Sequence, residues 1–386
     1  MNQDTELCVK CGLCSPHCPT YFLTQNEADS PRGRISLIQG LNQKALKPTP
    51  TLLQHIDSCL QCLACEKVCP SQVPFGKIIN DVKTTLPKQA KTRIINTVTQ
   101  PRWLTLILKL RQHLNWLPVK RLPKTVQKLW LRTAPISRQH KIEQFNDMNA
   151  TTLLLQGCLT NSLDTRTLSD THKVLQHLGI QTISTSTCCG SIDFHQGNSK
   201  AATKKARQHK QLADQVDHVV YLATGCGSFI KEYPHHFPEA DISHKLIDIC
   251  RLLLKHPLHH SNQQHKVKAL LHTPCSAKNR LKDTTAATDL LANFNHIELQ
   301  TLNSTYCCGG AGQYSVQQPS ISNALIAEQI KQLPSPLPDY LVTTNIGCAL
   351  QFSSALKYHG ITLDVVHPIT LIALALGLST PETSSC

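Results

Sequence analysis

The chain carries one cysteine pattern twice near its amino terminus, as CVKCGLCSPHCP at residues 8–19 and as CLQCLACEKVCP at residues 59–70. In each stretch the cysteines are separated by two, two and three residues, and a proline follows the last one. Thiolate sulfur is a soft donor that suits iron or zinc, and two-residue gaps let a short loop present three sulfurs to one centre. The repeat therefore predicts that these eight cysteines bind metal.

The spacing is typical of the bacterial ferredoxin run, in which the fourth cysteine of each run binds the cluster of the other run. We therefore expect two [4Fe-4S] clusters with crossed ligands. The first would be held by Cys8, Cys11, Cys14 and Cys69, and the second by Cys59, Cys62, Cys65 and Cys18. A zinc ribbon is the competing interpretation. It needs only two C-x2-C pairs, so it leaves the third cysteine and the C-P step of each run without a role.

Length and cysteine content limit the class of protein. The 386 residues are enough for two or three domains. Residues 1–14 contain no charged-then-apolar signal segment, so the 18 cysteines predict metal binding in a reducing cytoplasm rather than a secreted disulfide framework. The longest uncharged apolar runs, such as residues 368–378, are well short of the roughly 20 residues that a membrane-spanning helix needs.

The excess of positive charge lies in one segment. Residues 82–142 contain fourteen Lys or Arg and no Asp or Glu, whereas the rest of the chain has 25 basic and 25 acidic residues. Binding to nucleic acid is not expected, because no known module is present and the basic residues alternate with Leu and Trp rather than with stacking Phe or Tyr. Apolar residues recur at helical spacing over 103–117, and a second helical pattern begins near Pro123.

Two interpretations of this basic connector, residues 82–148, stay open. Its helices could lie on an anionic membrane with their basic face towards the headgroups, which would make a cytoplasmic protein peripheral on the inner face of the cell membrane. Alternatively, the apolar stripe packs on its own domain or on a partner subunit, which is the commoner situation for a surface helix.

From residue 149 onwards, short apolar runs alternate with helical patterns, as in parallel α/β units. Predicted strands cover residues 152–156, 181–184, 218–223, 267–272, 297–301 and 340–343, and predicted helices include 168–178 and 199–215. The fold class expected is α+β multidomain. It comprises a mostly helical two-cluster domain at 1–81, the connector at 82–148, and two α/β modules with parallel sheets at 149–260 and 261–386.

Between the two cysteine runs, Ser30 as N-cap and Pro31 as first residue predict a helix to about Leu41. Arg32 and Arg34, in its first turn, are expected at the surface or paired with carboxylates.

The two modules are copies of each other. Cys158, Cys188, Cys189 and Cys226 in the first are matched by Cys275, Cys307, Cys308 and Cys348 in the second, at offsets of 117, 119, 119 and 122 residues. Ligands bind beyond the carboxyl ends of parallel strands, so the four thiols of each copy are expected to converge on one site. Adjacent cysteines require a tight turn, for which Gly190 and Gly309 supply backbone freedom. The spacing leaves open whether iron-sulfur or zinc binds there.

The sequence resembles the cysteine-rich "CCG" family found in heterodisulfide reductase and in flavin-linked dehydrogenases. The resemblance rests on the paired cysteine runs, the PRGR element at residues 31–34 and CCGGAG at residues 307–312. The pattern is most similar to the iron-sulfur subunits of the glycolate oxidase (glycolate dehydrogenase) family. This resemblance implies an electron-transfer subunit that accepts electrons from FAD-containing partner subunits oxidising a 2-hydroxy acid and passes them towards quinone at the membrane. Glycolate is the first substrate implied, followed by lactate or glycerol-3-phosphate.

The heterodisulfide reductase motif ends in C-x2-C, but neither Cys226 nor Cys348 is followed by such a second cysteine. Each copy has four cysteines instead of five, which argues against disulfide chemistry at a non-cubane cluster. His195 and His272 lie near the trios and could act as ligands, although a satisfied core or surface histidine is the commoner case. A zinc-bound docking scaffold is a further interpretation of this half.

No catalytic residue is predicted. The chain has no flavin or nicotinamide fingerprint, and side chains alone cannot accept a hydride or carbanion, so the organic step belongs to another subunit. FAD would be present only in the partner subunits.

Overall fold

The computed structural model describes residues 3–86, 134–137, 140, 150–258 and 266–382. The helices predicted for the basic connector, over 103–117 and after Pro123, lie outside the described residues. Within the described ranges, residues 3–86 form helices and turns, and the residues from 150 onwards form helices together with two parallel sheets. The predicted fold class is therefore confirmed. None of the described helices combines the length and apolarity needed to cross a bilayer.

The amino-terminal part packs short helices around the cysteine loops. These helices are Gln3–Leu7, Ser15–His17, Pro19–Thr24, Glu27–Asp29, Pro31–Asn42, Pro50–Asp57, Ala64–Lys67 and Phe75–Thr85. The helix predicted after Ser30 is confirmed: it begins at Pro31, and the Ser30 hydroxyl accepts a hydrogen bond from the Gly33 amide at 2.9 Å. Ile38, Ile56 and Ile78 from three of these helices form a buried core. This core holds the two cysteine runs next to each other.

Gly33 lies in the first turn of helix Pro31–Asn42, where a Cβ would be 1.8 Å from the carbonyl oxygen of Glu27. Alanine there must displace backbone, so we expect Gly33→Ala to lower the free energy of unfolding by about 1–3 kcal/mol, the usual cost of overpacking. At Gly40 of the same helix, the three atoms nearest to an added Cβ all belong to the side chain of Leu46, which is 42% exposed and can move towards solvent. Gly40→Ala is therefore the matched control and should be neutral or gain up to about 1 kcal/mol in helix propensity. Urea midpoints compare the two; equal losses would rule out the steric explanation.

The carboxyl-terminal half contains two four-stranded parallel sheets of the same topology. The strands are β1 Thr152–Leu155, β2 Thr182–Thr185, β3 His218–Tyr221, β4 Leu246–Asp248, β5 Val267–His272, β6 Ile297–Thr301, β7 Tyr340–Thr343 and β8 Asp364–Val366. Their spatial orders are β2-β1-β3-β4 and β6-β5-β7-β8. The bounds predicted for β5, β6 and β7 are confirmed, and those of β1, β2 and β3 shift by one or two residues. The short strands β4 and β8 were not predicted.

Helices connect the strands in both copies. In the first they are Cys158–Leu163, Thr165–His177, Ser191–His195, Ser199–Ala213, Thr224–Lys231, Tyr233–His236, Pro238–Ala240 and Ile249–Leu253. In the second they are Ser276–Leu281, Ala286–Leu291, Tyr314–Gln317, Pro319–Ile330, Ile346–His359 and Pro368–Ala375. The last helix of the second copy, Pro368–Ala375, packs on helix Thr165–His177 of the first copy.

The two sheets share one hydrophobic core. Leu154 and Val220 of the first sheet lie in the same buried cluster as Leu271, Val342 and Val366 of the second. Burial of apolar side chains on both sides of this contact stabilises one relative orientation of the two copies. The cysteine loops that follow the strands are held by this contact.

Candidate iron-sulfur and cysteine-rich sites

The first cavity in the amino-terminal part is lined by Cys8, Cys11, Cys14 and Cys69. Cys11 is exposed, and the other three cysteines are partly buried. Left-handed backbone at Lys10 and Gly12, with φ of 54° and 86°, turns the loop between the first three cysteines. Val9 and Leu13 in this loop are 70% and 58% exposed, so this cavity lies at the protein surface.

The second cavity is lined by Cys59, Cys62, Cys65 and Cys18. Cys18 and Cys59 are buried. Burial raises the pKa values of Cys62 and Cys65, so these thiols need a bound cation to be held as thiolates. In both cavities the structure thus brings together the crossed set of cysteines, three from one run and the fourth from the other. The donor sets fit [4Fe-4S] clusters, since each offers four soft sulfurs.

Arg34 connects the two cysteine runs. The sequence placed it at the surface or in a pair with a carboxylate, and the surface alternative is wrong, since its side chain is 1% exposed. Its guanidinium donates to the carbonyl of His55 at 2.7 Å and to the hydroxyl of Ser58 at 2.8 Å, just before the second run. It also donates to the hydroxyl of Thr20 at 3.0 Å and pairs with the buried carboxylate of Asp29 at 3.4 Å. The expected pairing with a carboxylate is therefore present, but the pair is internal.

The same guanidinium lies 4.0 Å from the sulfur of Cys18, which belongs to the second cavity. Arg32, two residues earlier, fits the sequence expectation, because it is partly exposed and pairs with Glu27 at 2.6 Å. Helical position separates the two arginines. Residues two apart lie on different sides of a helix. Arg34 points inward to His55 and Ser58, whereas Arg32 lies at the exposed edge of the first cavity and donates to the carbonyl of Lys10 at 3.4 Å.

In the first module the four thiols of the repeated pattern converge beyond the carboxyl ends of β1, β2 and β3. Cys158 begins the helix after β1, and its sulfur lies 3.6 Å from that of Cys188. The neighbouring thiols of Cys188 and Cys226, together with burial, raise the pKa of Cys189. Gly190, with φ of 85°, turns the chain directly after the pair, as predicted.

The charge at this first set is uneven. Hydrogen bonds from Cys158 and Cys189 lower the pKa of Cys188, and the ammonium group of Lys205 adds to that effect. The pKa of Cys158 is raised by its hydrogen bond to Cys188 and by burial. Lys205 is itself paired with Asp193. A thiolate at Cys188 is therefore the favoured negative charge in this set.

The second module has the equivalent set of thiols, which are those of Cys275, Cys307, Cys308 and Cys348. The sulfurs of Cys275 and Cys307 are 3.7 Å apart, and those of Cys308 and Cys348 lie within 4.8 Å of each other. Gly309 has φ of 80°, and a Cβ at the next residue, Gly310, would lie 2.4 Å from the carbonyl oxygen of Gly347. The turn and the close approach explain why two glycines follow this pair.

His272 ends β5 and lies beside this second set. One of its ring nitrogens and the sulfurs of Cys308 and Cys348 lie within 4.8 Å of one another. The side chain is 2% exposed, and burial lowers its pKa to about 3, so the imidazole is neutral. His195 is the other histidine that the sequence suggested as a ligand. Its Nδ1 lies 3.3 Å from the side-chain oxygen of Asn80.

Both cysteine-rich sets and part of the second ferredoxin set line one common cavity of about 180 Å³. A single water needs only about 10–15 Å³ by the same measure. Cys59 and Cys62 contribute to the lining together with all eight cysteines of the two modules. The sequence predicted two separate sites, and no signal in it places them on one cavity, because that depends on how the modules pack.

Specific contacts hold the amino-terminal part against the second module at this cavity. Asn279 donates to the carbonyl of Cys62 at 2.8 Å, and Tyr314 donates to the carbonyl of Ser58 at 2.7 Å. Arg280 donates to the carbonyl of Gln61 at 3.3 Å and pairs with Glu232 of the first module at 2.7 Å. The three parts of the chain therefore meet around the thiols.

Comparison with known families agrees with these parts of the structure. Residues 4–73 match the 4Fe-4S dicluster domain family. Residues 152–231 and 269–353 each match the cysteine-rich domain family. The two matches to one family correspond to the two sheets.

Two relatives of similar length are iron-sulfur subunits, and a third, shorter relative matches about half of this chain. The chain is 30% identical to the glycolate oxidase iron-sulfur subunit of Escherichia coli (strain K12), over 90% of this chain and 89% of that protein. It is 26% identical to the probable glycolate oxidase iron-sulfur subunit of Bacillus subtilis (strain 168), over 97% and 94% of the two chains. It is also 28% identical to lactate utilization protein A of Geobacillus sp. (strain WCH70), over 55% of this chain and 95% of that protein.

Proposed function

The chain belongs to the family of glycolate oxidase iron-sulfur subunits, and from this premise we propose that it is the electron-transfer subunit of a flavin-dependent 2-hydroxyacid dehydrogenase. Its partners would be FAD-containing subunits that oxidise the substrate, with glycolate as the first candidate. The chain would receive the electrons and pass them towards quinone. Lactate is the second candidate substrate, because a lactate utilization protein is among the relatives.

The proposed cofactors are two [4Fe-4S] clusters with crossed ligands. Cys8, Cys11, Cys14 and Cys69 would hold one, and Cys59, Cys62, Cys65 and Cys18 the other. Such clusters exchange single electrons, so a pair of them suits a reduced flavin that must release two. The observation that carries the proposal is that each cavity gathers its fourth cysteine from the other run.

The positions of the two cavities support a direction for the electrons. The cavity with exposed Cys11 lies at the surface, where a flavoprotein partner can approach. The other cavity shares Cys59 and Cys62 with the lining of the common cavity that contains Cys275 and Cys307. Electrons would therefore enter near Cys11 and leave the second cluster towards the cysteine-rich modules, whose thiols we propose as ligands of a further iron-sulfur cluster or of zinc.

The location in the cell is also part of the proposal. We infer a cytoplasmic protein that contacts the inner face of the cell membrane through the basic segment 82–142, where the quinone acceptor would be reached. The support is the charge of that segment, fourteen basic residues without an acidic one.

The test is purification of the tagged chain from its native cell without oxygen, followed by identification of co-purifying flavoproteins. Glycolate or lactate is then added, and reduction of the clusters is followed by EPR. We expect a flavoprotein in the complex and a reduced-cluster signal with glycolate. A complex containing Cys62→Ala serves as the matched control, because it should still bind the flavoprotein but lack the second cluster. Recovery of the chain without any flavoprotein would contradict the proposal, as would clusters that neither substrate reduces.

A further inference from the structure

We propose that His272 is a ligand of a metal centre at the second cysteine-rich set, where its imidazole acts together with Cys308 and Cys348. The two modules would then differ in chemistry: the second site combines nitrogen and sulfur donors, and among the described residues no histidine groups with the cysteines of the first site within the same distance. This inference does not depend on the identity of the partner flavoprotein or of the substrate.

The first support is geometric. His272, Cys308 and Cys348 come from three different segments, yet their donor atoms lie within 4.8 Å of one another. All three side chains are buried, with exposures of 2%, 1% and 3%. A tetrahedral zinc ion with bonds of about 2.0–2.3 Å holds its ligand atoms about 3.3–3.8 Å apart, so these three donors need to approach one another by no more than about 1.5 Å to share one ion. No other group of this kind occurs in the part of the chain that the structure describes.

The second support is the hydrogen bond on the other side of the ring. Nδ1 of His272 lies 3.1 Å from the hydroxyl of Thr343, its partner across the ladder between β5 and β7. Metal-binding histidines almost always use their second nitrogen in such a bond, which sets the tautomer and the ring orientation. Nε2 would then be the nitrogen that binds metal, and Thr343 would be a positioning residue.

The third support is the difference between the copies. His272 lies three residues before Cys275, and the residue three before Cys158 in the first module is Leu155. Leu155 is 4% exposed and packs in the core of its module. A position that only needed core packing could hold leucine in both copies. The imidazole also offers a fifth donor in a module that has four cysteines.

A core histidine without a metal role uses its nitrogens differently, as His367 illustrates. Nε2 of His367 lies 3.1 Å from the carbonyl of Leu222, and Nδ1 accepts a hydrogen bond from the amide of Ile369, also at 3.1 Å. His367 thus caps the helix that follows it. It is the natural comparison residue for His272.

The experiment uses the full chain purified without oxygen and labelled with ¹⁵N-histidine. If the second site holds iron, pulsed EPR of the wild-type protein should detect one strongly coupled imidazole nitrogen. If it holds zinc, X-ray absorption should show nitrogen beside sulfur in the first coordination shell. These spectra of the wild-type protein are sufficient to overturn the proposal, which they would do by showing centres with sulfur ligands only or a second site without metal.

Variants give the second readout, which is metal retention against a chelator. His272→Leu, which introduces the residue of the first module, should weaken retention at this site by more than Thr343→Val. For Thr343→Val we expect about a 10- to 100-fold loss, the usual effect of removing such an outer partner. His367→Asn, which keeps a helix-capping side chain, should retain metal as the wild type does. Unchanged retention in His272→Leu would exclude the imidazole as a ligand.

Discussion

Cys69→Ala is expected to remove the iron-sulfur cluster at Cys8, Cys11 and Cys14, although Cys69 lies in the other cysteine run. The physical reason is the arrangement of the first cavity, which Cys69 lines together with the three cysteines of the first run. Loss of one thiolate ligand should lower the iron content by about four atoms per chain, the content of one [4Fe-4S] cluster. Iron and sulfide analysis of anaerobically purified protein measures the change. The control is Cys250→Ala, since Cys250 is a core residue with 1% exposure and should leave the iron content unchanged.

Pairs of substitutions distinguish crossed from uncrossed ligands. Cys69→Ala combined with Cys11→Ala should lose about four irons, no more than either single variant, because both residues serve one cluster. Cys69→Ala combined with Cys62→Ala should lose about eight, because two clusters are damaged. The opposite result, eight for the first pair and four for the second, would show that each run binds its own cluster.

Arg34→Met is expected to destabilise the amino-terminal part by about 3–5 kcal/mol, the range found when one partner of a buried ion pair is removed. The guanidinium is 1% exposed, and the carboxylate of Asp29 that it pairs with is also buried. Methionine fills much of the same volume but removes the guanidinium from that carboxylate, which keeps only its contacts with His55 and Ser58. It also removes the donor to the Ser58 hydroxyl and one of the two donors to the His55 carbonyl. Urea unfolding of the full chain, followed by the visible absorbance of the clusters, measures the loss.

Arg32→Met is the matched control for this variant. Arg32 lies in the same helical turn and also forms an ion pair, but its pair with Glu27 is partly exposed. Surface pairs contribute little to stability, so this variant should unfold near the wild-type midpoint. A loss in Arg32→Met as large as that in Arg34→Met would mean that the helix itself, and not the buried ion pair, accounts for the destabilisation.

Several elements of the fold could be predicted from local sequence. Strands β5, β6 and β7 are runs of alternating or continuous apolar residues bounded by turn residues, so their bounds followed from pattern alone. Strands β4 and β8 have three residues each and lead directly into helices Ile249–Leu253 and Pro368–Ala375. Such short strands merge with the apolar pattern of the following helix, so the sequence did not separate them.

The role of Arg34 shows a different limit. The segment Pro31-Arg32-Gly33-Arg34 contains two arginines, and neither composition nor local spacing indicates which of them is buried. The burial of Arg34 depends on His55 and Ser58, more than twenty residues away, and on the loop that carries Asp29. Only a structure in which the two cysteine runs already lie side by side distinguishes this arginine from its neighbour.

Cysteine spacing by itself determined which residues are candidate ligands and that the carboxyl-terminal half is duplicated, and the hydrophobic pattern indicated that both copies are parallel α/β units. These properties are local, because loop length limits which sulfurs can meet and hydrophobic period distinguishes strand from helix. The tertiary structure alone decided that both cysteine-rich sets open onto one cavity beside Cys62 and that His272 lies next to Cys308 and Cys348. Those arrangements arise from packing between segments far apart in the chain, where apolar burial and hydrogen bonds from Asn279, Arg280 and Tyr314 select one relative orientation.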